Sequence, residues 1–165
     1  MSYDVFDNFL SDAEFSTLQS LVVGNSRFNW NITSTVSSDR DTAEENWNWY
    51  GFHNLYSARP LSEHYNIIDS IFCGKFNLQT WIRIKVNFYP YTSEVKEHKQ
   101  HRDLPYSHFG AVFHLNTCDG FTRMPNGDKV DSVANRIVFF DPAEYHNSST
   151  TSNQKGRYNI NFNWL

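Results

Sequence analysis

The stretch "GRYNINFNWL" (156–165) alternates strictly between polar and apolar side chains. The polar positions are Arg157, Asn159, Asn161 and Asn163, and the apolar positions are Tyr158, Ile160, Phe162 and Trp164. A period of two indicates a β-strand that has one face against an apolar core. The opposite face, rich in asparagine, suits either a wet ligand pocket or a solvated sheet. Such a strand needs neighbours with which to pair.

Three upstream segments have the composition of further strands. Residues 78–89 alternate with the same period, and Pro90 follows as a residue that cannot donate to a strand ladder. Residues 109–116 and 135–141 are apolar runs rich in β-branched and aromatic side chains. The dipeptide Asn126–Gly127 lies between these two runs and is typical of a tight hairpin turn. The second half of the chain is therefore predicted to be a series of short strands.

The first half of the chain contains two predicted amphipathic helices. The first begins at a capping box formed by Ser11 and Glu14, and the second spans about 60–74. Helices followed by many short strands predict a mainly β fold with N-terminal helices (α+β). The expected architecture is a β-sandwich or a jelly-roll barrel with the helices packed on one sheet.

The domain organisation is expected to be simple, with one domain over 1–165. A helical cover at about 1–75 precedes a barrel core at about 78–165. Residues 25–60 show no clean period, and a long irregular segment in a small domain is often a lid or a binding loop. Three aromatic residues of this segment are expected either to line a substrate cleft or to form a strand edge. They are Trp47, Trp49 and Tyr50.

Composition narrows the functional classes. The net charge of −4 provides no electrostatic footprint for nucleic acid or for an anionic membrane. No signal peptide and no apolar run of membrane-spanning length are present, so a soluble cytoplasmic protein is expected. Cys73 and Cys118 form no C-x-x-C motif, and two buried free thiols are favoured over a disulfide.

A candidate metal site begins with His101 and Asp103. In extended backbone, residues two apart point to the same side, so an imidazole and a carboxylate can reach one metal ion together. This mixed N/O donor set suits Fe(II), and a facial triad needs one more imidazole, for which His146 is the candidate. The alternatives are a surface pair at 101 and 103, His98 as the rival ligand, and His108, expected to be structural.

Arg157, on the polar face of the last strand, is a candidate anion site. A buried guanidinium without a partner is costly, whereas its planar fork matches a carboxylate. A dicarboxylate co-substrate would resolve that cost, with one end on the metal and the other on Arg157.

Taken together, these motifs resemble those of the 2-oxoglutarate and Fe(II)-dependent dioxygenases. Within that superfamily the chain is most similar to the prolyl 4-hydroxylase-like branch. The sequences of its motifs are close to those of small members found in phage and marine bacterial genomes. The resemblance covers roughly 81–165, and it implies that the barrel is a double-stranded β-helix (jelly-roll or cupin-like). The ordered elements are "NFYP" (87–90), H-x-D (101–103), "HLN" (114–116), "DGFT" (119–122), "SVANRIVFFD" (132–141), His146 and Arg157.

The resemblance implies a role for each matching residue. Fe(II) would be bound by His101, Asp103 and His146, and the distal carboxylate of 2-oxoglutarate by Arg157. Further contacts to the co-substrate would come from Tyr89, His114 and Thr122. Position 114 departs from the pattern because relatives often have tyrosine there, and Asp119 stands where relatives often have glycine. The collagen-type hydroxylases have lysine in place of Arg157.

The activity implied by the resemblance is hydroxylation of a C–H bond with O2, coupled to conversion of 2-oxoglutarate to succinate and CO2. A peptidyl proline is one candidate substrate, and ascorbate is the candidate reductant. Other peptides, proteins or small molecules stay open, since loops such as 33–60 and 90–100 would decide the substrate. No nucleic-acid or membrane partner is expected, and a phage-encoded enzyme would act in a host cytoplasm. The alternative is a non-catalytic jelly-roll module that binds carbohydrate or a structural partner.

Overall fold

The strictly alternating C-terminal segment forms a central strand of the larger of two sheets. The computed structural model describes residues 3–36 and 46–165. In chain order the elements are β1 (Asp4–Phe6), α1 (Asp12–Val22), β2 (Asn31–Thr33), β3 (Tyr50–Ser57), α2 (Tyr65–Phe72), β4 (Trp81–Pro90), β5 (Phe109–His114), β6 (Phe121–Arg123), β7 (Lys129–Asp131), β8 (Arg136–Phe140), β9 (Asn147–Ser148) and β10 (Gly156–Trp164).

Seven strands form the larger sheet in the order β1-β8-β5-β10-β4-β3-β2, and all of its neighbours pair antiparallel. The smaller sheet has the order β7-β6-β9. On β10, Asn159 lies opposite Asn87 of β4 on one side and His114 of β5 on the other. This register places the polar positions of three adjacent strands on one face.

The opposite face of the larger sheet carries the apolar core. Leu18 and Val22 of α1, and Ile68 and Phe72 of α2, are buried in one cluster with the apolar residues of the central strands. Helix α1 begins at the predicted capping box, in which Ser11 and Glu14 bond each other reciprocally. The helices therefore cover one sheet, as the sequence predicts.

The smaller sheet faces the polar side of β10. The guanidinium of Arg157 on β10 donates to Thr122 on β6 and to the backbone of Ser149, next to β9. Strands β6 and β7 form the predicted hairpin, and Gly127 in its turn has φ 90°, a conformation that glycine adopts without strain. Two facing antiparallel sheets with helices on one of them confirm the predicted double-stranded β-helix fold.

Two local expectations differ from the structure. Residues 25–60 contain strands β2 and β3. Together with β1, three strands therefore lie within the segment at about 1–75 that was expected to be a helical cover. Strand β3 gives no alternating signal because both of its faces are partly covered and a bulge interrupts it between Asn54 and Tyr56. Residues 37–45 of that segment lie outside the described part of the chain.

The cysteines are also only partly as expected. Both are free, and Cys118 is buried, whereas Cys73 is exposed. The preceding residue, Phe72, takes the position against the core, so Cys73 faces outward at the start of a 3-10 turn. Among the helices of the described ranges, none has the length and apolar character needed to cross a membrane.

Candidate active site

Two backbone hydrogen bonds join the segments that carry the candidate metal ligands. The amide of His101 donates to the carbonyl of His146 over 2.9 Å, and the amide of His146 donates back over 3.0 Å. This reciprocal pair fixes the loop after β4 against the segment before β9. The two imidazole rings consequently lie side by side, with their centroids 4.7 Å apart.

Asp103 completes a cluster with the two histidines. One ligand atom from each of His101, Asp103 and His146 lies within 4.8 Å of the others. The Oδ1 atom of Asp103 is 3.9 Å from Nε2 of His101 and 4.0 Å from Nε2 of His146. The Nδ1 atom of His146 is 2.9 Å from the carbonyl of Glu144, so it is the nitrogen that donates and Nε2 is left to bind a metal.

The carboxylate of Asp103 is held from its other side. Its Oδ2 atom accepts hydrogen bonds of 3.0 Å from the side-chain amides of Asn161 and Asn163. Its Oδ1 atom is 2.9 Å from the guanidinium of Arg83. These contacts orient Oδ1 toward the imidazoles. They arise because β10 and β4 present their polar faces to the same point.

Electrostatics favour the metal-binding protonation states of Asp103 and His101. Burial raises the pKa of Asp103, but Arg83 and then the two imidazoles outweigh it and hold that pKa well below its usual range. Burial, and secondly the neighbouring His146, lower the pKa of His101 to about 4, although Asp103 opposes the shift. At neutral pH the site therefore contains a carboxylate and a neutral imidazole at position 101.

Arg157 lies fully buried between the two sheets. Its Nε atom donates to the hydroxyl of Ser132 over 2.6 Å, and its Nη2 atom donates to the hydroxyl of Thr122 over 2.7 Å. The guanidinium carbon is 5.3 Å from the ring centre of Tyr89. Within residues 3–36 and 46–165, no carboxylate forms an ion pair with Arg157. Burial accordingly lowers the pKa of its guanidinium.

Two of the other predicted co-substrate residues reach the space at the candidate metal ligands, whereas His114 is not among its described lining residues. Tyr89 and Thr122 line a narrow cavity together with the three candidate metal ligands. His114 is fully buried, and neither of its ring nitrogens has a hydrogen-bond partner in the part of the chain that the structure describes. Burial holds the pKa of His114 well below its ordinary value, so the ring is neutral. A neutral imidazole without partners can still donate a hydrogen bond to a ligand.

The cavity at the cluster is small, at about 30 Å³, and opens toward a larger cleft of about 370 Å³. The two share Lys85, His101 and Asp103. Because the smaller space admits little more than water, entry of a five-carbon diacid requires side chains at its rim to change rotamer.

Several polar residues of the site carry no sequence motif. Arg83, Lys85 and Asn87 on β4 face the same space as the asparagines of β10. The alternation of β10 revealed its polar face and left open whether that face was solvated. It is buried, because Asn159, Asn161 and Asn163 are at most 6% exposed. The signal that points to the missed residues is the matching alternation in 81–89.

The remaining imidazoles lie outside the ligand cluster. His98 is buried and bonds the hydroxyl of Ser148, and its ring stacks on Trp47. His108 is buried with Nε2 next to the amide of Asn163.

The aromatic residues predicted to line a cleft in the irregular segment do not all reach it. Tyr50 lines the larger cleft, whereas Trp49 packs on Phe88 and Trp47 on His98. His53 packs against Phe28 and bonds Ser62, on the opposite face of β3 from the cleft. Tyr50 is therefore the member of the predicted aromatic wall that reaches the cleft.

Comparison with known proteins supports the fold. No protein-family model matches the sequence, and no curated protein matches it. A prolyl-4-hydroxylase from Pseudomonas putida matches with a TM-score of 0.62 and 12% identity, covering 98% of this chain and 91% of that chain.

Two further structures match over similar lengths. A 2OG-Fe(II) oxygenase family oxidoreductase from Burkholderia pseudomallei has a TM-score of 0.66 at 11% identity, covering 98% of this chain and 84% of that chain. A prolyl hydroxylase from Trichoplax adhaerens, in complex with a hypoxia inducible factor peptide fragment, has a TM-score of 0.62 at 14% identity, covering 98% and 83%. The chain therefore has the fold of the 2-oxoglutarate and Fe(II) oxygenases, prolyl hydroxylases among them, as the sequence resemblance predicts.

Proposed function

We propose that the chain is a 2-oxoglutarate- and Fe(II)-dependent dioxygenase that hydroxylates a C–H bond. The observation that carries the proposal is the convergence of His101, Asp103 and His146, whose ligand atoms lie within 4.8 Å of one another. Two imidazoles and one carboxylate form the facial donor set of non-haem Fe(II) oxygenases. The fold shared with such oxygenases is a separate line of support.

The residues present fit a divalent metal. The low pKa of His101 leaves its ring neutral, and the ionised carboxylate of Asp103 supplies a charge that offsets the cation. The asparagine amides on Oδ2 and the carbonyl of Glu144 on His146 fix the orientation of two of the three ligands. When bound, Fe(II) and 2-oxoglutarate supply the oxidising chemistry, with succinate and CO2 as the co-products.

Arg157 fits the distal carboxylate of the co-substrate. A fully buried guanidinium that bonds only hydroxyl and carbonyl oxygens in the described chain keeps an unneutralised charge. A diacid that enters the barrel would neutralise it. Thr122 contacts the same guanidinium, and Tyr89 lies beneath it, so both are proposed to shape that end of the pocket. His114, neutral and without a partner, is proposed to donate to the co-substrate.

A peptidyl proline is one proposed substrate. The likeness to a prolyl hydroxylase in complex with a peptide fragment supports this choice, and so does the sequence resemblance to the prolyl 4-hydroxylase-like branch. The rival function is a non-catalytic jelly-roll binding module. The two differ in a measurable way, because the module would neither consume 2-oxoglutarate nor need its imidazoles for binding.

The test is turnover of 2-oxoglutarate to succinate by purified protein with Fe(II), with and without ascorbate. We expect slow, metal-dependent succinate formation without substrate, and none in His101→Ala or His146→Ala. The matched control is His64→Ala, which removes a half-buried imidazole stacked on Phe28 outside the site. Normal turnover in either ligand variant, or none in the wild-type protein, would contradict the proposal.

A further inference from the structure

The larger cleft beside the metal ligands has a composition that the proposed metal and co-substrate sites do not explain. It has a volume of about 370 Å³ and lies between β2, β3, β4 and the 101–103 segment. Its described lining includes three basic side chains, Arg83, Lys85 and Arg102, and a single acidic one, Asp103. The sequence as a whole has a net charge of −4, so the described lining of this cleft is more basic than the average of the chain.

The acidic residue of the lining is already engaged. Asp103 bonds the guanidinium of Arg83 and two asparagine amides, and it belongs to the proposed ligand set for the metal. Its charge is therefore shared among Arg83, the imidazoles and the cation. Of the three basic residues, Arg83 is the one that forms an ion pair with it.

Lys85 and Arg102 each lie against an aromatic ring. The Nζ atom of Lys85 is 5.4 Å from the ring centre of Tyr50, and the guanidinium carbon of Arg102 is 4.3 Å from the ring centre of Tyr145. Neither forms an ion pair with a carboxylate in residues 3–36 and 46–165. Lys85 faces the proposed reaction centre directly, because it lines the small cavity as well as the cleft.

The distal carboxylate of the co-substrate already has a proposed partner in Arg157, so it does not explain the two basic residues of the cleft. Arg157 is buried between the sheets against Thr122 and Ser132, and it does not line the cleft. One guanidinium suffices for the distal carboxylate of a diacid. Two further cations in an accessible cleft point to a second anion, and the hydroxyls of Thr33 and Thr35 add polar groups at its edge.

We propose that this cleft binds an acidic group of the substrate, a carboxylate or a phosphate, through Lys85 and Arg102. The inference rests on the proposed function and narrows its substrate class to molecules that carry a negative charge near the hydroxylated carbon. A neutral prolyl peptide would offer neither cation a charged partner. An acidic molecule would pair them and would be drawn in by the local field.

The experiment measures binding by calorimetry to the full chain loaded with Ni(II) and 2-oxoglutarate. The probes have both termini blocked, so that the side chain carries the only charge. They are the N-acetyl methylamides of L-aspartate and of O-phospho-L-serine, with the N-acetyl methylamides of L-asparagine and of L-serine as their neutral counterparts. We expect at least one acidic probe to bind about tenfold or more tightly than its neutral counterpart, and the two pairs distinguish carboxylate from phosphate. Equal affinities within both pairs would overturn the proposal.

Variants locate the site. Lys85→Met should weaken the acidic probe about tenfold, equivalent to about 1.4 kcal/mol, and leave its neutral counterpart and 2-oxoglutarate unchanged. Arg102→Gln, at an exposed loop position where folding is not at risk, should weaken it by a smaller factor. Lys155→Met, which removes an exposed lysine elsewhere, is the control for net charge. Loss of 2-oxoglutarate binding in Lys85→Met would overturn the proposal by assigning Lys85 to the co-substrate.

Failure of the proposed function would look different. In that case the metal-dependent binding of 2-oxoglutarate would be absent in the loading step itself. The comparison of acidic with neutral probes can then be repeated on the metal-free protein. A preference for acid that depends on Lys85 would persist there if the cleft is an anion site.

Discussion

At the residue scale, the candidate metal site depends on how Asp103 is held. Asn161 and Asn163 donate to its Oδ2 atom, and Arg83 contacts Oδ1, so the carboxylate has a single orientation before any metal arrives. Partners of this kind usually matter for metal affinity because they fix the ligand and tune its basicity. The asparagines of β10 thus have a role that the alternation of the strand does not reveal.

Removing one of these partners should weaken the metal site without removing a ligand. We expect Asn161→Ala to raise the Kd for Ni(II) by about 10- to 100-fold, since Oδ2 loses a donor and Arg83 an acceptor. The measurement is a calorimetric titration. Asn66→Ala on the exposed side of α2 is the control. An unchanged Kd in Asn161→Ala would show that the carboxylate does not bind the metal in this orientation.

Gly120 should matter because of its contact with Arg157. A Cβ atom at position 120 would lie 2.6 Å from the carbonyl oxygen of Thr150 and 2.8 Å from Cδ of Arg157. Backbone or guanidinium must then shift, at a cost of about 1–3 kcal/mol in the free energy of unfolding.

The expected result for Gly120→Ala is a loss of affinity for 2-oxoglutarate of about tenfold or more together with this destabilisation. Thermal unfolding with and without metal and 2-oxoglutarate measures both effects. Gly74→Ala is the matched control, since nothing lies within 4 Å of a Cβ atom there. If Gly120→Ala bound the co-substrate normally, Arg157 would not be the anchor.

At the element scale, Glu97 fixes the segment that leads to His101. Its carboxylate accepts two hydrogen bonds from Arg123 of β6 and one from Asn147 of β9. The hydrogen bonds from Arg123 are the main reason that the pKa of Glu97 lies below its ordinary 4.5, although partial burial opposes the shift. The ion pair between Glu97 and Arg123 therefore attaches the loop after β4 to the smaller sheet.

The stability that this contact contributes should depend on pH. Because the folded pKa of Glu97 is lowered, its contribution is present above about 4.5 and is lost as the pH falls through the lowered value. We expect Glu97→Gln to lower the free energy of unfolding at pH 7 by up to about 1 kcal/mol, since the pair is partly exposed. Urea unfolding at neutral and acid pH checks this. A deficit that persists at acid pH would contradict it.

Local pattern explains which elements the sequence predicts. The alternation of β10, the Asn126–Gly127 turn and the Ser11–Glu14 capping box are each encoded within a few residues, and each is present. Strand β3 is not encoded in this way, because both of its faces are partly covered by other elements.

The candidate cluster is also predictable in part, and the role of its residues in binding metal and co-substrate stays a prediction. The ordered motifs identified the residues that lie together in the cluster, and the structure brings His101, Asp103 and His146 within reach of one ion. The contacts of Arg83 and the asparagines with Asp103 depend on the register between β4 and β10. That register is a long-range property, which no local pattern contains.

At the scale of the whole molecule, the helices and the barrel share one core. Phe72 of α2 is fully buried, with its ring 4.6 Å from that of Phe162 on β10 and 5.3 Å from that of Phe113 on β5. A common core favours the proposed single domain over a barrel with a separable cover.

Truncation in this core should destabilise the entire chain. We expect Phe72→Ala to cost about 3–5 kcal/mol and to retain one cooperative unfolding transition. Ile67→Ala, on the exposed side of the same helix, should have little effect. The measurement is urea unfolding followed by both fluorescence and circular dichroism. Two separate transitions in Phe72→Ala would contradict a single domain.

The most direct test of the central claim is an anaerobic titration of the purified protein with Fe(II) and 2-oxoglutarate, followed by visible absorbance. We predict a weak metal-to-ligand charge-transfer band that saturates at one iron per chain and is absent from His146→Ala and Arg157→Met. A colourless wild-type protein, or an equal band in His146→Ala, would contradict the account.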